Sequence, residues 1–343
     1  VKACVVIPTL NARDLLAQAL TSLEAQTVQA DVVVVDNAST DGTGELLAAR
    51  FPSVKVVAND RNLGFGKAVN RGVAAAPTGT DVIVLVNNDV VCEPEFLERM
   101  LAALADDRVG MVAGVLLQGS APDLVDSAGI ELDSTLGSWD MLWNRPLREL
   151  AGAAEPVGPC GGAAAYRRAV FTELGGFDER LFAYWEDVDL ALRVRLAGFS
   201  CVRAPDARAL HRHGATLGAA SPAQRRLEAF GRGYVLAKYR VARTGVLMRA
   251  KIALLDWPVL LVHLVVRREL GPIRSRWQGT RAGLSADPRR APQELATVAL
   301  PEALRRQYSL PWLRLTGRLP EHFRDSGRAP TTGTRETPPS GRR

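Results

Sequence analysis

Two hydrophobic spacings alternate along the first 108 residues. "ACVVIPT" (3–9) is an apolar run ending around Pro8 and predicts a strand. In "NARDLLAQALTSLEAQ" (11–26), Leu15, Leu16, Ala19, Leu20 and Leu23 recur at helical spacing, with Asn11 placed as the cap. "DVVVVDN" (31–37) is an unbroken β-branched run, the pattern of a strand buried on both faces. "TGELLAARF" then predicts a helix, "VKVVAN" a strand, "GKAVNRGVAAA" a helix opened by glycines, "DVIVLVNND" a strand and "EPEFLERMLAALAD" a helix. This order implies an α/β fold, a Rossmann-like, mainly parallel mixed sheet with helices on both faces. Ligands of such sheets sit at the carboxyl ends of the strands. Three strand exits are polar, namely Pro8-Thr9-Leu10-Asn11, Asp36-Asn37 and Asn87-Asn88-Asp89, and they are expected to converge on one edge.

Beyond residue 109 the pattern loosens into short strands rich in Gly, Ser and Pro up to about 165. "YRRAVFTELGGFDERLFAYWEDVDLALRVRLAGF" predicts a helix stopped at Gly175-Gly176 and a second helix from Glu186 or Asp187 to a cap at Gly198. "SCVRAPDARALHRHG" predicts a last strand and a loop carrying His211 and His213. Residues 246–270 are apolar but broken by Asp256, Pro258 and His263, and so fall short of the roughly 20 apolar residues of a spanning helix. They are read as an interfacial helical pair flanked by Arg and Lys, with a buried packing hairpin as the alternative. From 325 onward the composition is that of a disordered tail.

Composition changes this picture in two places. The net charge of +6 is uneven: residues 246–343 hold 18 Lys/Arg against 8 Asp/Glu, which leaves the first 245 residues acidic. Basic character therefore sits away from the polar strand exits, against a nucleic-acid role and in favour of an anionic surface for the C-terminal part. Four scattered cysteines (Cys4, Cys92, Cys160, Cys201) form neither a disulfide framework nor a zinc pattern, and a reducing compartment is expected. The opening "VKACVVIPTL" runs straight into a strand pattern, so no secretory signal is expected there.

The polar exits suggest chemistry, each against a plainer reading. Asp36 and Asn37 could hold a base or ribose, while Ser39, Asp41 and Gly42 form a turn in which Asp41 or Thr43 caps the next helix. Gly64 and Gly66 fit two positions of a dinucleotide-binding glycine pattern, but Val69 occupies the third and no P-loop is present. What remains is a glycine-rich helix N-terminus with Lys67, Asn70 and Arg71 nearby, suited to a diphosphate or to a plain loop-to-helix joint. Asn87-Asn88-Asp89 is either a polar turn or a hard-oxygen site for Mg²⁺ or Mn²⁺, with His211 or His213 as an extra ligand. Glu186, Asp187 and Asp189 complement a helix dipole, yet beside Tyr184 and Trp185 they could also raise one another's pKa into the range of a general base.

Six stretches in order, "VVIPTLN", "VVVVDNASTDGT", "NLGFGKAVNRG", "LVNNDV", "GGAAAYRRAVFTELGGFDERLFAYWEDVDLALR" and "LHRHGAT", resemble the family 2 glycosyltransferases of the GT-A fold, especially bacterial rhamnosyltransferase-like members. They span roughly residues 3–218. The resemblance implies inverting transfer from a nucleotide-diphosphate sugar to a hydroxyl. It implies that Pro8, Thr9, Asn11, Asp36 and Asn37 hold the nucleoside, with Asn62, Gly64, Lys67 and Asn88 near ribose and diphosphate. Asp89 stands at the last position of the DxD motif and inherits a divalent cation, Mg²⁺ or Mn²⁺, with His211 as the matching histidine. Gly161, Gly162, Trp185, Glu186 and Asp189 would line or orient the sugar and acceptor pocket, and Asp187 would be the catalytic base. Asn87 departs from the motif's first aspartate, a substitution taken to mark the rhamnosyltransferase-like branch.

These expectations divide the chain into a GT-A unit at 1–245, with halves at about 1–108 and 109–245, a basic helical extension at 246–324 and a tail at 325–343. The expected setting is bacterial cell-surface polysaccharide synthesis at the cytoplasmic face of the plasma membrane, on a glycan or lipid-linked acceptor. A small natural-product acceptor and a nucleotide-sugar-binding protein without turnover are the alternatives, and the intact Glu186-Asp187 pair speaks against the second.

Overall fold

The structure is a computed structural model that describes residues 1–212, 221–290 and 292–315. Its elements, in chain order, are β1 (Ala3–Thr9), α1 (Arg13–Glu24), β2 (Asp31–Asp36), α2 (Thr43–Arg50), β3 (Lys55–Ala58), α3 (Phe65–Ala75), β4 (Val82–Val86), β5 (Val90–Cys92), α4 (Phe96–Ala102) and β6 (Val109–Gln118). There follow β7 (Ala121–Ser127), β8 (Ile130–Leu132), β9 (Ser138–Asp140), β10 (Ala163–Arg167), α5 (Arg168–Glu173), α6 (Glu186–Leu196) and β11 (Ser200–His211). The C-terminal part is helical: α7 (Pro222–Lys238), α8 (Val246–Leu261), α9 (Gly271–Leu284) and α10 (Leu300–Leu315).

The main sheet runs β3-β2-β1-β4-β10-β6-β11-β5, with β7 on β6. Parallel pairing holds β3, β2, β1 and β4 together, as the alternating pattern of the first half requires. Strand β10 enters antiparallel between β4 and β6, so the sheet is mixed. Along β1, Val5 and Ile7 face one core and Cys4 and Val6 the other, the period-2 burial of a sheet covered on both sides. Leu16, Leu20 and Leu23 of α1 complete the first core; Ala68, Val69, Phe171 and Phe177 complete the second.

Several expectations change. Asn11 does not cap α1: it takes a left-handed φ of 49° and its Oδ1 accepts from Thr40 N at 2.8 Å. Asp41 caps α1 instead, accepting from Arg13 N at 2.9 Å, while its other oxygen accepts from Thr43 Oγ1 at 2.6 Å at the start of α2. One carboxylate thus ties two helix N-termini. Partial burial works against its charge, but these donors prevail and hold its pKa below the usual aspartate value. The region from 109 is less irregular than its composition suggests, because β6 is a ten-residue, fully buried strand. Tyr166 and Arg167, expected in a helix, finish β10. His213 and the tail from 325 lie outside the described residues.

The segment 246–270 is not a pair of helices and is not a buried hairpin. Helix α8 continues into a π-helical turn, Val262–Val266, and keeps one face packed and one exposed. Pro258 inside α8 cannot donate to the Leu254 carbonyl four residues earlier. Tyr308 of α10 supplies that donor, its Oη bonding Leu254 O, a bond of about 1 kcal/mol net. Helix α9 lies on α7 along small residues: a Cβ at Gly233, Gly279 or Gly283 would run into the facing backbone. Met248 and Ala286 join Tyr234, Tyr239, Val188 and Leu192 in one core, so the extension from 246 is built onto the preceding unit.

Candidate active site

The carboxyl ends of β1 and β4 and the loops facing them open into a cleft of about 1510 Å³. Pro8, Thr9, Asn37, Asn62, Gly64, Asn87, Asn88 and Asp89 all reach it, so the three polar exits do converge. Asn88 Nδ2 donates to Thr9 Oγ1 at 3.0 Å, joining the β1 and β4 exits. Asn37 is a node: its Oδ1 accepts from Asn59 Nδ2 at 2.7 Å, and its Nδ2 donates to Gly64 O at 3.4 Å. Asn62 Oδ1 accepts from Gly64 N at 2.9 Å. Gly64 has φ +87°, and a Cβ there would strike the Phe182 carbonyl, to which Phe65 N donates at 2.7 Å. The glycine is thus required where the loop before α3 touches the loop before α6.

The second wall is set by the register of β5 and β11, which pairs His211 with Val90 and puts the imidazole beside Asp89. His211 Nε2 is 3.3 Å from Asp89 Oδ1, and Nδ1 is 2.6 Å from Asp126 Oδ2. Burial disfavours the charged ring, but Asp126 and Asp89 outweigh it and push the His211 pKa up to about 10. At neutral pH the imidazolium therefore holds the positive charge between two carboxylates. Asp89 Oδ1 is buried and makes no directed hydrogen bond. A buried carboxylate oxygen that faces an imidazole nitrogen without a directed hydrogen bond fits a divalent cation in place of the ring proton. No cluster of three or more His, Cys, Asp or Glu side chains able to enclose an ion occurs among the described residues, so such a cation would rely on a ligand for its remaining oxygens.

Across the cleft, Tyr184 and Trp185 take consecutive left-handed φ values of 67° and 74° before α6 begins. Such conformations persist where the surroundings enforce them, and they cluster at functional sites. The turn delivers Glu186 and Asp187 to the cleft in adjacent positions. Asp187 Oδ1 accepts from Val188 N at 2.8 Å and Oδ2 from Gly161 N at 3.2 Å. Glu186 is 5% exposed and its Oε2 has no partner. Desolvation raises both pKa values, and the Asp187 charge adds to the rise at Glu186. The two carboxyls therefore titrate as a pair that holds a proton more tightly than free carboxylates do. Gly161 and Gly162 line the same cleft; a Cβ at Gly162 would lie 3.3 Å from Asn87 Nδ2.

Four expected site residues do not line the cleft. Asp189, expected at the acceptor, is fully buried: its Oδ2 is 2.8 Å from Arg193 Nε and its Oδ1 2.6 Å from Lys238 Nζ. Two positions along α6 turn it by about 200° from Asp187, into the α6–α7 interface. Lys67 is half-exposed and paired with Glu179 at 2.9 Å. Asp36 accepts from Ser39 N at 2.9 Å, and Asn11 is held by the same loop, beside the cleft. Asp126, Arg232, Asp256 and Arg276 also line the cleft, from elements with no recognisable local motif in the sequence.

Comparison with known proteins agrees with this geometry. The sequence profile of glycosyl transferase family 2 matches residues 4–175, half of the chain. The chain is 34% identical over 201 residues to an N-acetylglucosaminyl-diphospho-decaprenol L-rhamnosyltransferase of Mycobacterium tuberculosis (strain CDC 1551 / Oshkosh), covering 52% of this chain and 66% of that protein. It is 27% identical over 220 residues to the O-antigen chain rhamnosyltransferase RfbN of Salmonella typhimurium, covering 63% of this chain and 68% of that one. Among solved structures, the mannosyltransferase PcManGT from Pyrobaculum calidifontis, in complex with GDP-Man and Mn²⁺, shares the fold with a TM-score of 0.52 and 19% identity, over 94% of this chain and 82% of that one. The fold is GT-A, and the chain belongs to glycosyl transferase family 2.

Proposed function

We propose that the protein is an inverting glycosyltransferase that moves a sugar, rhamnose or a similar hexose, from a nucleotide-diphosphate donor to a hydroxyl of a lipid-linked glycan in bacterial surface-polysaccharide synthesis. The observation that carries this reading is the single cleft that holds Asp187 on one wall and Thr9, Asn37, Asn88 and Asp89 on the other. Thr9, Asn37 and Asn62 bind the nucleoside side, with Asp36 and Asn11 shaping the loop that receives it. Asp187, ionised and oriented by Gly161 N and Val188 N, removes the acceptor proton. The attacking oxygen then enters opposite the departing diphosphate, which inverts the anomeric centre. Burial and the Asp187 charge both raise the Glu186 pKa, which disfavours a second charge beside the nucleophile. A divalent cation, Mg²⁺ or Mn²⁺, would be held by Asp89 and His211 and would stabilise charge on the leaving diphosphate. The rhamnosyltransferase relatives favour a deoxyhexose donor and a polyprenyl-linked acceptor.

Release of nucleoside diphosphate from a panel of nucleotide sugars tests the reading. It should require one donor and an added acceptor; a panel with no acceptor-dependent release would overturn it. Asp89→Ala is expected to weaken Mn²⁺-dependent donor binding by about tenfold or more, since half of the protein's ligand pair is removed. An unchanged Mn²⁺ titration would remove Asp89 from the metal site.

The outer face of α8 supports work at a membrane surface. Leu247, Leu254, Trp257 and Leu261, with Leu264 of the π-turn that follows, recur on one side and are 43–71% exposed. Exposed Trp277 of α9 is covered by Arg281 at 4.6 Å, and Arg249, Arg267, Arg268 and Arg274 are exposed nearby. Apolar anchors ringed by cations suit an anionic bilayer. Among the described residues no helix is long and apolar enough to cross a membrane. Trp257→Glu with Leu261→Glu should abolish sedimentation with phosphatidylglycerol vesicles without lowering the melting temperature; full retention on the vesicles would contradict this docking face.

A further inference from the structure

The cleft does not stop at Asp187. It runs on to a second end walled by α7, α8, α9 and α10. Helix α8 has opposed faces there: Leu254, Trp257 and Leu261 point outward, while Asp256, Val259, Leu260 and the π-turn residue His263 line the interior. The same helix is thus the outer apolar face of the molecule and the inner wall of its cleft. π-helical turns recur at functional sites.

At one point of this end two guanidinium groups face a single carboxylate. Arg232 of α7 and Arg276 of α9 share one carboxylate, Asp256, with Arg232 Nε 3.3 Å from Asp256 Oδ1. Arg232 spends its remaining nitrogens on Thr135, at 2.8 and 2.7 Å. Arg276 donates to Asp256 through Nη2 alone, and its Nε and Nη1 meet no acceptor among the described residues. His263 Nδ1 is buried and unbonded, 3.7 Å from Glu269. Burial lowers the Arg276 pKa, Asp256 pulls it back up, and the Arg232 charge lowers it again. An entering anion would relieve this imbalance. The cluster is also one indole away from the carboxylate pair, because the Arg232 guanidinium carbon lies 5.9 Å from the centre of the Trp185 ring.

We infer that Arg276 and His263, with Arg232 adding its charge beside them, form an anion subsite for the phosphate of a lipid-linked acceptor. The acceptor sugar lies over Trp185 toward Asp187, and the lipid leaves along Val259 and Leu260 to the bilayer side of α8. The placement of the sugar rests on the transfer function proposed above; the phosphate site rests on the side chains at this end alone. Unpaired guanidinium donors recognise phosphate oxygens by charge-assisted hydrogen bonds, and the adjoining apolar wall accepts a hydrocarbon chain.

Titration of the full chain by tryptophan fluorescence, without donor or divalent cation, tests the subsite. The probes are geranylgeranyl diphosphate, geranylgeraniol and inorganic pyrophosphate. The wild type should bind the lipid diphosphate at least about tenfold more tightly than the alcohol, and Arg276→Gln should erase that difference while leaving the alcohol unaffected. Arg276→Lys should keep part of it. His263→Gln, which breaks no hydrogen bond among the described residues, should weaken the diphosphate selectively and carries the test if the arginine variants fail to fold. Excess pyrophosphate should displace the lipid diphosphate but not the alcohol. Equal binding of diphosphate and alcohol to the wild type would overturn the inference. So would a preference that survives both Arg276→Gln and His263→Gln, which would place the phosphate at the donor end of the cleft. Turnover does not enter the titration, so a protein without transfer activity would refute the proposed function and leave this result standing.

Discussion

Asp187→Asn should lower transfer by about 10²–10⁴-fold, the usual contribution of a positioned general base, while donor affinity stays close to that of the wild type. The amide preserves the size of the side chain, and its single oxygen can still accept from Val188 N, while the weaker 3.2 Å bond from Gly161 N is lost. What is lost is the ability to take a proton. The same geometry fixes a pH dependence. Burial raises the Asp187 pKa, and a base works only when ionised, so the acid limb of kcat/KM should lie above the ordinary aspartate range. A variant Asp187→Asn that turns over at the wild-type rate would remove Asp187 as the base.

Asp189→Ala is expected to cost about 3–5 kcal/mol of stability, measured by urea unfolding, because it strands the buried cations Arg193 and Lys238. The carboxylate is fully buried and also receives the Tyr239 hydroxyl at 3.1 Å. Arg193 in turn donates to the carbonyl oxygens of Leu174 and Gly176, so the network ties α6, α7 and the turn after α5. An acceptor-positioning residue would behave in the opposite way, with near-normal stability and a raised acceptor KM. That outcome would return Asp189 to the pocket.

The contrast between Asp187 and Asp189 shows what the sequence could and could not convey. Both carboxylates stand in the first turn of the same helix, and composition treats them alike. Only the partner helix α7, some 40 residues later, decides that one faces the cleft and the other faces Lys238. The first half of the chain was legible because its signals are local: β1, β2 and β4 are unbroken apolar runs, and each ends in polar residues that reach one edge. Strand β10 was half hidden in a run of alanines that could also begin a helix, and its place between β4 and β6 is a long-range pairing. His211 was visible as a candidate ligand, but Asp126, 85 residues away, was not; β7 brings it there through pairing with β6. The anionic preference of the far end was equally invisible, since Arg232, Asp256 and Arg276 come from three different helices. In the segment 246–270, periodicity alone could not settle whether the apolar face was packed or exposed. Helix α8 resolves this by doing both on opposite sides.

The central claim is a single in-line displacement in this cleft, with Asp187 on the face opposite the leaving diphosphate. It is tested most directly by the anomeric configuration of the first product formed, read by proton NMR from one-bond C–H coupling at the anomeric carbon. The account predicts a configuration opposite to that of the donor sugar. Retention of the donor configuration would contradict it.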